Sequence, residues 1–188
     1  MITYFKSIND TDKPFYVDID VAIDRIKFGK SKDIVKKIRS ADTKEERNNI
    51  KKLLPAILFS GEFSRRADNA IVNHSGIICI DFDGFKSEED LQEMRMFLFN
   101  DKYTYCMFMS PSGDGIKLLV RIPQDASNHK KYFLALQNYY NRDEFDKSCK
   151  NISRVCYESF DPDIYVNELS EVWSEMVNTN DNTTIYLS

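Results

Sequence analysis

Two carboxylates, Asp81 and Asp83, close the apolar run GIICIDFDGF over residues 76–85. Side chains at positions i and i+2 of a strand share a face, so the run brings both carboxylates to one side of a strand end. Paired carboxylates repel one another and are costly there unless a cation neutralises them, which makes a divalent metal the natural occupant. Hard oxygen ligands of this kind suit Mg2+ or Mn2+. The same residues also fit a solvated Asp-Gly turn.

A second group is SPSGDGIK, residues 110–117. Gly113 and Gly115 let the backbone fold tightly and aim N–H groups into one concavity, while Ser110, Ser112 and Lys117 add donors and positive charge. Such a turn could cradle phosphate oxygens, and it could equally be an ordinary hairpin turn. A third group lies in EFDKSCKNISRVCYESFDPD, residues 144–163, where Asp146, Arg154 and Asp161 flank an apolar stretch. Taken one at a time, these are commonplace charged residues.

The elements that must position these groups follow from periodicity. Up to about residue 74 the chain is dominated by helix signals, with apolar positions at Val21, Ala22, Ile26, Ile34, Val35 and Ile38. Thr43 with Glu46 forms a capping-box pattern, Pro55 closes that helix, and AILF follows as a strand. From Gly76 onward the pattern reads GIICID (strand), SEEDLQEMRMFLF (helix), YTYCMFM (strand), GIKLLVRI (strand), SNHKKYFLALQNYY (helix) and ISRVCYES (strand). This predicts an α+β fold: an RRM-like βαββαβ palm over 75–176, preceded by a helix-rich α/β module over 1–74 and followed by a polar tail over 177–188. In such a sheet the first strand lies between the third and fourth, so all three groups would converge on one end of it.

With 188 residues and 42% hydrophobic content, the chain is long enough for a real core. The formal net charge of −4 argues against a protein whose main role is gripping long duplex DNA. Basic faces at Lys30 to Arg39 and at Arg65 and Arg66 leave room for nucleic-acid contact or for plain solvation. The absence of a long apolar stretch or signal-like opening predicts a cytoplasmic protein without membrane contact. Cys79, Cys106, Cys149 and Cys156 show no metal-ligand spacing and read as packed, reduced thiols. Asp18 and Asp20 read as helix capping, His74 as a structural hydrogen-bonding group, His129 as exposed, and Trp173 as packing in a carboxy-terminal helix.

The three segments, in this order and spacing, resemble the motifs of the archaeo-eukaryotic primase superfamily, in particular the primase-polymerases of mobile elements, plasmids and phages of the VirE amino-terminal type. Asp81 and Asp83 match its Asp-x-Asp motif, Ser110 to Lys117 its phosphate-binding turn, and Phe145 with Asp146 its third motif. The likeness extends over roughly Ser60 to Asn167. The resemblance implies nucleotidyl transfer in DNA replication, from a nucleoside triphosphate to a 3′-hydroxyl on a single-stranded template. Mg2+ or Mn2+ would sit on Asp81, Asp83 and Asp146, and Ser110, Ser112, Gly113, Gly115, Lys117 and Arg154 would hold the phosphates. A helicase domain or partner often accompanies such enzymes. Lys117 stands where many members carry His, and a lysine is a point charge rather than a general acid at neutral pH. Two other readings remain open: a non-catalytic RRM-like module holding nucleotide or nucleic acid, and a phosphatase of the haloacid dehalogenase type, whose nucleophile motif Ile80 to Gly84 also fits.

Overall fold

The computed structural model describes residues 1–178, so most of the expected polar tail lies outside the described residues. The first part of the chain forms β1 (Ile2–Phe5), β2 (Phe15–Val17), α1 (Ile19–Phe28), α2 (Lys32–Ser40), α3 (Lys44–Lys51), β3 (Ala56–Leu58), β4 (Gly61–Phe63) and β5 (Ile71–His74). The second part forms β6 (Ile77–Phe82), α4 (Glu88–Asn100), β7 (Thr104–Met109), β8 (Ile116–Arg121), α5 (His129–Tyr140), β9 (Cys156–Tyr157) and β10 (Tyr165–Val166). The fold is mixed α+β, with antiparallel sheets and five helices among the described residues. None of those helices is long and apolar enough to cross a membrane.

One sheet has the order β10-β7-β8-β6 and the other β2-β1-β3-β9, while β4 and β5 pair as a separate hairpin. On β6 the period-2 alternation of side chains separates two cores. Ile78, Ile80 and Phe82 pack with Leu91, Met94 and Leu98 of α4 and Tyr132, Phe133 and Leu136 of α5, so both helices cover one face. Ile77 and Cys79 turn the other way, against Tyr4, Ile57, Phe59 and the α1 residues Ala22, Ile23 and Ile26. Asp81 is in phase with the second set, so it lies at the end of the face between the two sheets.

The elements β6, α4, β7, β8 and α5 follow the expected order, but the strand arrangement differs. β6 pairs with β8 along its length and, among the described residues, has only a single bridge on its other side, Phe82 to Phe145. The segment expected as a fourth strand beside β6 instead pairs with β3, through Ala56 to Tyr157 and Ile57 to Cys156. The cause is the buried carboxylate that ends it. Glu158 is 0% exposed. It accepts from Arg25 at 2.5 and 3.1 Å, from the Ser31 hydroxyl at 2.5 Å and from the Tyr4 hydroxyl at 3.2 Å. All these partners belong to the amino-terminal part, and a buried carboxylate without them would cost several kcal/mol.

Three local expectations also change. His129 is buried rather than exposed, with its Nδ1 3.0 Å from His74 Nε2. Because His74 Nδ1 accepts from the Gly76 N–H, neutral His74 carries its proton on Nε2 and donates to His129. Trp173 sits in an irregular segment rather than a helix, packed on Tyr103 and Tyr139. Asp18 does occupy the cap position of α1, but its side chain makes no capping hydrogen bond. The sheet that carries Asp81 is antiparallel throughout, whereas the phosphatase alternative requires a parallel one.

Candidate functional site

The carboxylates meet where β6 runs out. Asp81 lies opposite Lys117 in the β6–β8 register, and the Lys117 ammonium donates to the Asp81 carboxylate in a largely enclosed ion pair. That pairing raises the Lys117 pKa against the opposing effect of burial. Asp146 arrives by a separate route: its N–H donates to the Asp81 carbonyl at 2.8 Å, and the Asp83 N–H donates to the Glu144 carbonyl at 2.9 Å. This short backbone clasp, where a full strand was expected, sets Asp146 beside the β6 carboxylates.

The Asp146 carboxylate accepts from the Ser148 N–H at 2.9 Å, the Cys149 thiol at 3.1 Å and Arg154 at 3.2 Å. Burial opposes ionisation of Asp146, but these hydrogen bonds and the Arg154 charge hold its carboxyl below the ordinary range. The Cys149 thiol is pushed up to about 12 by burial and by the adjacent carboxylate, so it is protonated at neutral pH. Ligand atoms from Asp81, Asp146 and Cys149 lie within 4.8 Å of one another.

Asp83 stands at the solvent edge of this group, outside that set. Its side chain has no hydrogen-bond or ion-pair partner among the described residues. Partial loss of hydration, followed by the negative charges of Asp81 and Asp146, raises its carboxyl above the ordinary range. Three carboxylates thus lie near the end of β6, and of these Asp81 and Asp146 have ligand atoms close enough together to share one ion.

The turn over 110–115 is closed on itself. The Ser110 N–H donates to the Gly115 carbonyl at 2.8 Å and the Gly113 N–H to the Ser110 carbonyl at 2.9 Å. Gly113 has φ +79°, which favours glycine, and Gly115 passes so close to β6 that a Cβ there would sit 2.7 Å from the Phe82 carbonyl oxygen. Arg39 of α2 holds the turn from outside, donating to the Ser110 carbonyl at 3.2 Å and the Phe160 carbonyl at 3.1 Å. Ser110 is buried, whereas Ser112 faces a cleft of about 420 Å³ lined by Lys44, Arg47, Asn48, Lys51, Asp83, Gly84, Phe85 and Asp114.

The structure thus brings together Asp81, Asp83, Asp146, Lys117, Arg154 and the glycine turn. Arg65 and Arg66 are not among the residues lining the cleft: Arg66 donates to the Ile8 carbonyl at 2.6 Å and Arg65 to Asn69 at 3.3 Å. Asp161 is structural, accepting from the Met109 N–H at 2.8 Å. Sequence reasoning missed Cys149 and the whole α3 wall. The signal for the wall was present, since Lys44, Arg47, Asn48 and Lys51 recur at helical spacing.

Comparison with known proteins adds one match. The sequence model of the family described as BT4734-like, N-terminal domain covers residues 48–166, which includes every carboxylate of the site and the glycine turn. No curated protein and no solved structure matches the chain. The matched family is a different one from the archaeo-eukaryotic primase superfamily, and the resemblance drawn from the three short segments is corrected on that finding.

Proposed function

We propose that this chain, which belongs to the BT4734-like, N-terminal domain family, catalyses metal-dependent nucleotidyl transfer from a nucleoside triphosphate to a nucleic-acid 3′-hydroxyl. The observation that carries the reading is the convergence of Asp81, Asp83 and Asp146 beside a cleft whose opposite wall is cationic. Asp81, Asp83 and Asp146 would hold Mg2+ or Mn2+, which lowers the pKa of an attacking hydroxyl and stabilises charge on the transferred phosphoryl group. Lys117 and Arg154, which neutralise Asp81 and Asp146 here, would turn toward phosphate oxygens once cations take over the carboxylates. The protein's part is then position and electrostatics, with no general acid among these residues.

A second reading has its own support. Two of the three carboxylates are already paired with Lys117 and Arg154, an arrangement that also suits a module binding nucleotide without turnover. One experiment separates the two: the full chain is incubated with labelled triphosphates, Mn2+ or Mg2+, and single-stranded template, with and without primer. Incorporation that disappears in the Asp81→Asn/Asp83→Asn variant supports transfer. Metal-dependent nucleotide binding without incorporation leaves the binding module, and neither incorporation nor binding removes both.

A further inference from the structure

Resting on the nucleotidyl-transfer reading, we infer that α3, rather than the glycine turn, is the clamp for the polyphosphate chain of the nucleotide, through Lys44, Arg47 and Lys51. Two of the turn's N–H groups, those of Ser110 and Gly113, are spent inside it, and Ser110 itself is buried, which leaves Ser112 as the turn's side chain on the cleft beside Asp114.

α3 is the reverse case. It buries none of its side chains, starts from a Thr43 cap that accepts from the Glu46 N–H, and rests on α2 through the partly buried Ile50. Lys44, Arg47 and Lys51 fall at i, i+3 and i+7, one stripe of the helix, and all three line the cleft opposite Asp83. Asp114 answers these charges in part. Arg47 reaches Asp114 only at 3.5 Å, and its Nε is shielded from solvent with no hydrogen-bond partner among the described residues. Lys51 is enclosed enough that burial depresses its pKa. Like charges gathered on one wall, with an unsatisfied guanidinium N–H, are a standing cost that an anion relieves.

The identity of the anion follows from the opposite wall. A simple anion would meet Asp83 and be repelled. A chain of phosphates can instead place one end on a cation held by the carboxylates and the other on α3. The stripe from Lys44 to Lys51 is about 10 Å long, room for several phosphate groups, and the cleft volume of about 420 Å³ lies in the range of small-molecule sites. A nucleic-acid backbone needs cations continued along a track. Beyond Phe85 the next groove brings Asp90, Glu93 and Glu144 against only Lys86 and Arg142.

The test measures affinities of the full chain in Mn2+ for ATP, ADP, AMP and inorganic tripolyphosphate, with a single-stranded oligonucleotide as competitor. The variants are Arg47→Ala/Lys51→Ala and, as a control, Lys52→Ala, whose ammonium bonds Asn49. Because Arg47 and Lys51 are only partly buried and belong to no hydrophobic core, the variants should stay folded, with thermal melts close to the parent's. The parent should rank ATP above ADP above AMP. The double variant should lose at least about tenfold for ATP and tripolyphosphate while binding AMP within about twofold, as expected when charged contacts to the outer phosphates go. Lys52→Ala should match the parent. ATP affinity unchanged in the double variant overturns the clamp, and oligonucleotide displacing tripolyphosphate assigns the cleft to a strand backbone instead. ATP binding lost in Asp81→Asn/Asp83→Asn but intact in the α3 variant defeats the clamp alone. Tripolyphosphate binding that depends on α3, without nucleotide incorporation, keeps the clamp and defeats nucleotidyl transfer.

Discussion

Replacing Lys117 by Met isolates the electrostatics of the carboxylate group. The ammonium pairs with Asp81, and the two side chains are only 14% and 17% exposed. Unit charges about 4 Å apart at an effective dielectric constant near 20 attract by about 4 kcal/mol. Removing one member of a buried pair costs about 3–5 kcal/mol because the survivor is left uncompensated. Here the survivor keeps some solvent contact, and methionine preserves the packing of the lysine stem. Lys117→Met should therefore destabilise the metal-free protein by about 2–3 kcal/mol, with Asp81 left facing Asp83 and Asp146. A divalent cation at a hundred times its dissociation constant would return about 2.7 kcal/mol. Urea unfolding of parent and variant, in EDTA and in Mn2+, reads both effects. The expected pattern is a deficit in EDTA that Mn2+ largely removes, with a larger Mn2+ effect on the variant than on the parent. Equal stabilities in EDTA, or the same Mn2+ increment in both proteins, would refute the idea that Lys117 stands in for a cation on Asp81.

Gly115→Ala places a methyl group 2.7 Å from the Phe82 carbonyl oxygen and against Asp83, so β6 and the turn must separate. Unfolding should show a loss of about 1–3 kcal/mol, and Mn2+ affinity by calorimetry should fall; an unchanged affinity would detach the turn from the site. The His74–His129 pair makes stability depend on acidity. Burial, with His74 adding to it, lowers the His129 pKa to about 3. Above the ordinary histidine value near 6.5 both folded and unfolded chains are neutral there. Below it the unfolded chain takes up a proton that the folded chain refuses, so stability falls with falling pH, by about 2 kcal/mol at pH 5. Unfolding of His129→Gln over the same pH range should give a flatter profile, and an unaltered slope would acquit the pair.

Long, strongly periodic segments were legible: β6 with its terminal carboxylates, α4, β7, β8, α5 and the Thr43 cap of α3 all follow from local pattern. The short strands β1, β2, β4 and β5 were not, because three or four residues carry too little periodicity. Nor could the sheet chosen by Cys156 and Tyr157 be read locally, since it hangs on Glu158 meeting Arg25, 133 positions away. Lys44, Arg47 and Lys51 were visible as charges at helical spacing, but nothing local to α3, which also carries Glu45 and Glu46, says that this stripe lines the same cleft as Asp83. The closeness of Cys149 to Asp146 depends on the tight turn between them, which hydrophobic patterning does not encode. Family membership rests on 119 positions, residues 48–166, and a few carboxylates and glycines at matching intervals do not carry it.

The arrival of β9 in the amino-terminal sheet has a consequence for how the chain is made. Ile57 waits for Cys156, so about a hundred residues must leave the ribosome before that sheet gains its last strand. At about 5–20 residues per second that is a delay of roughly 5–20 s. During it Arg25, Ser31 and Tyr4 lack the carboxylate that joins them in the finished fold, and the β3 edge is open to pairing with other chains. The nascent chain is then most exposed to misassembly before the segment after Asp146, the same segment that brings Cys149 and Arg154 to the Asp146 carboxylate, has emerged.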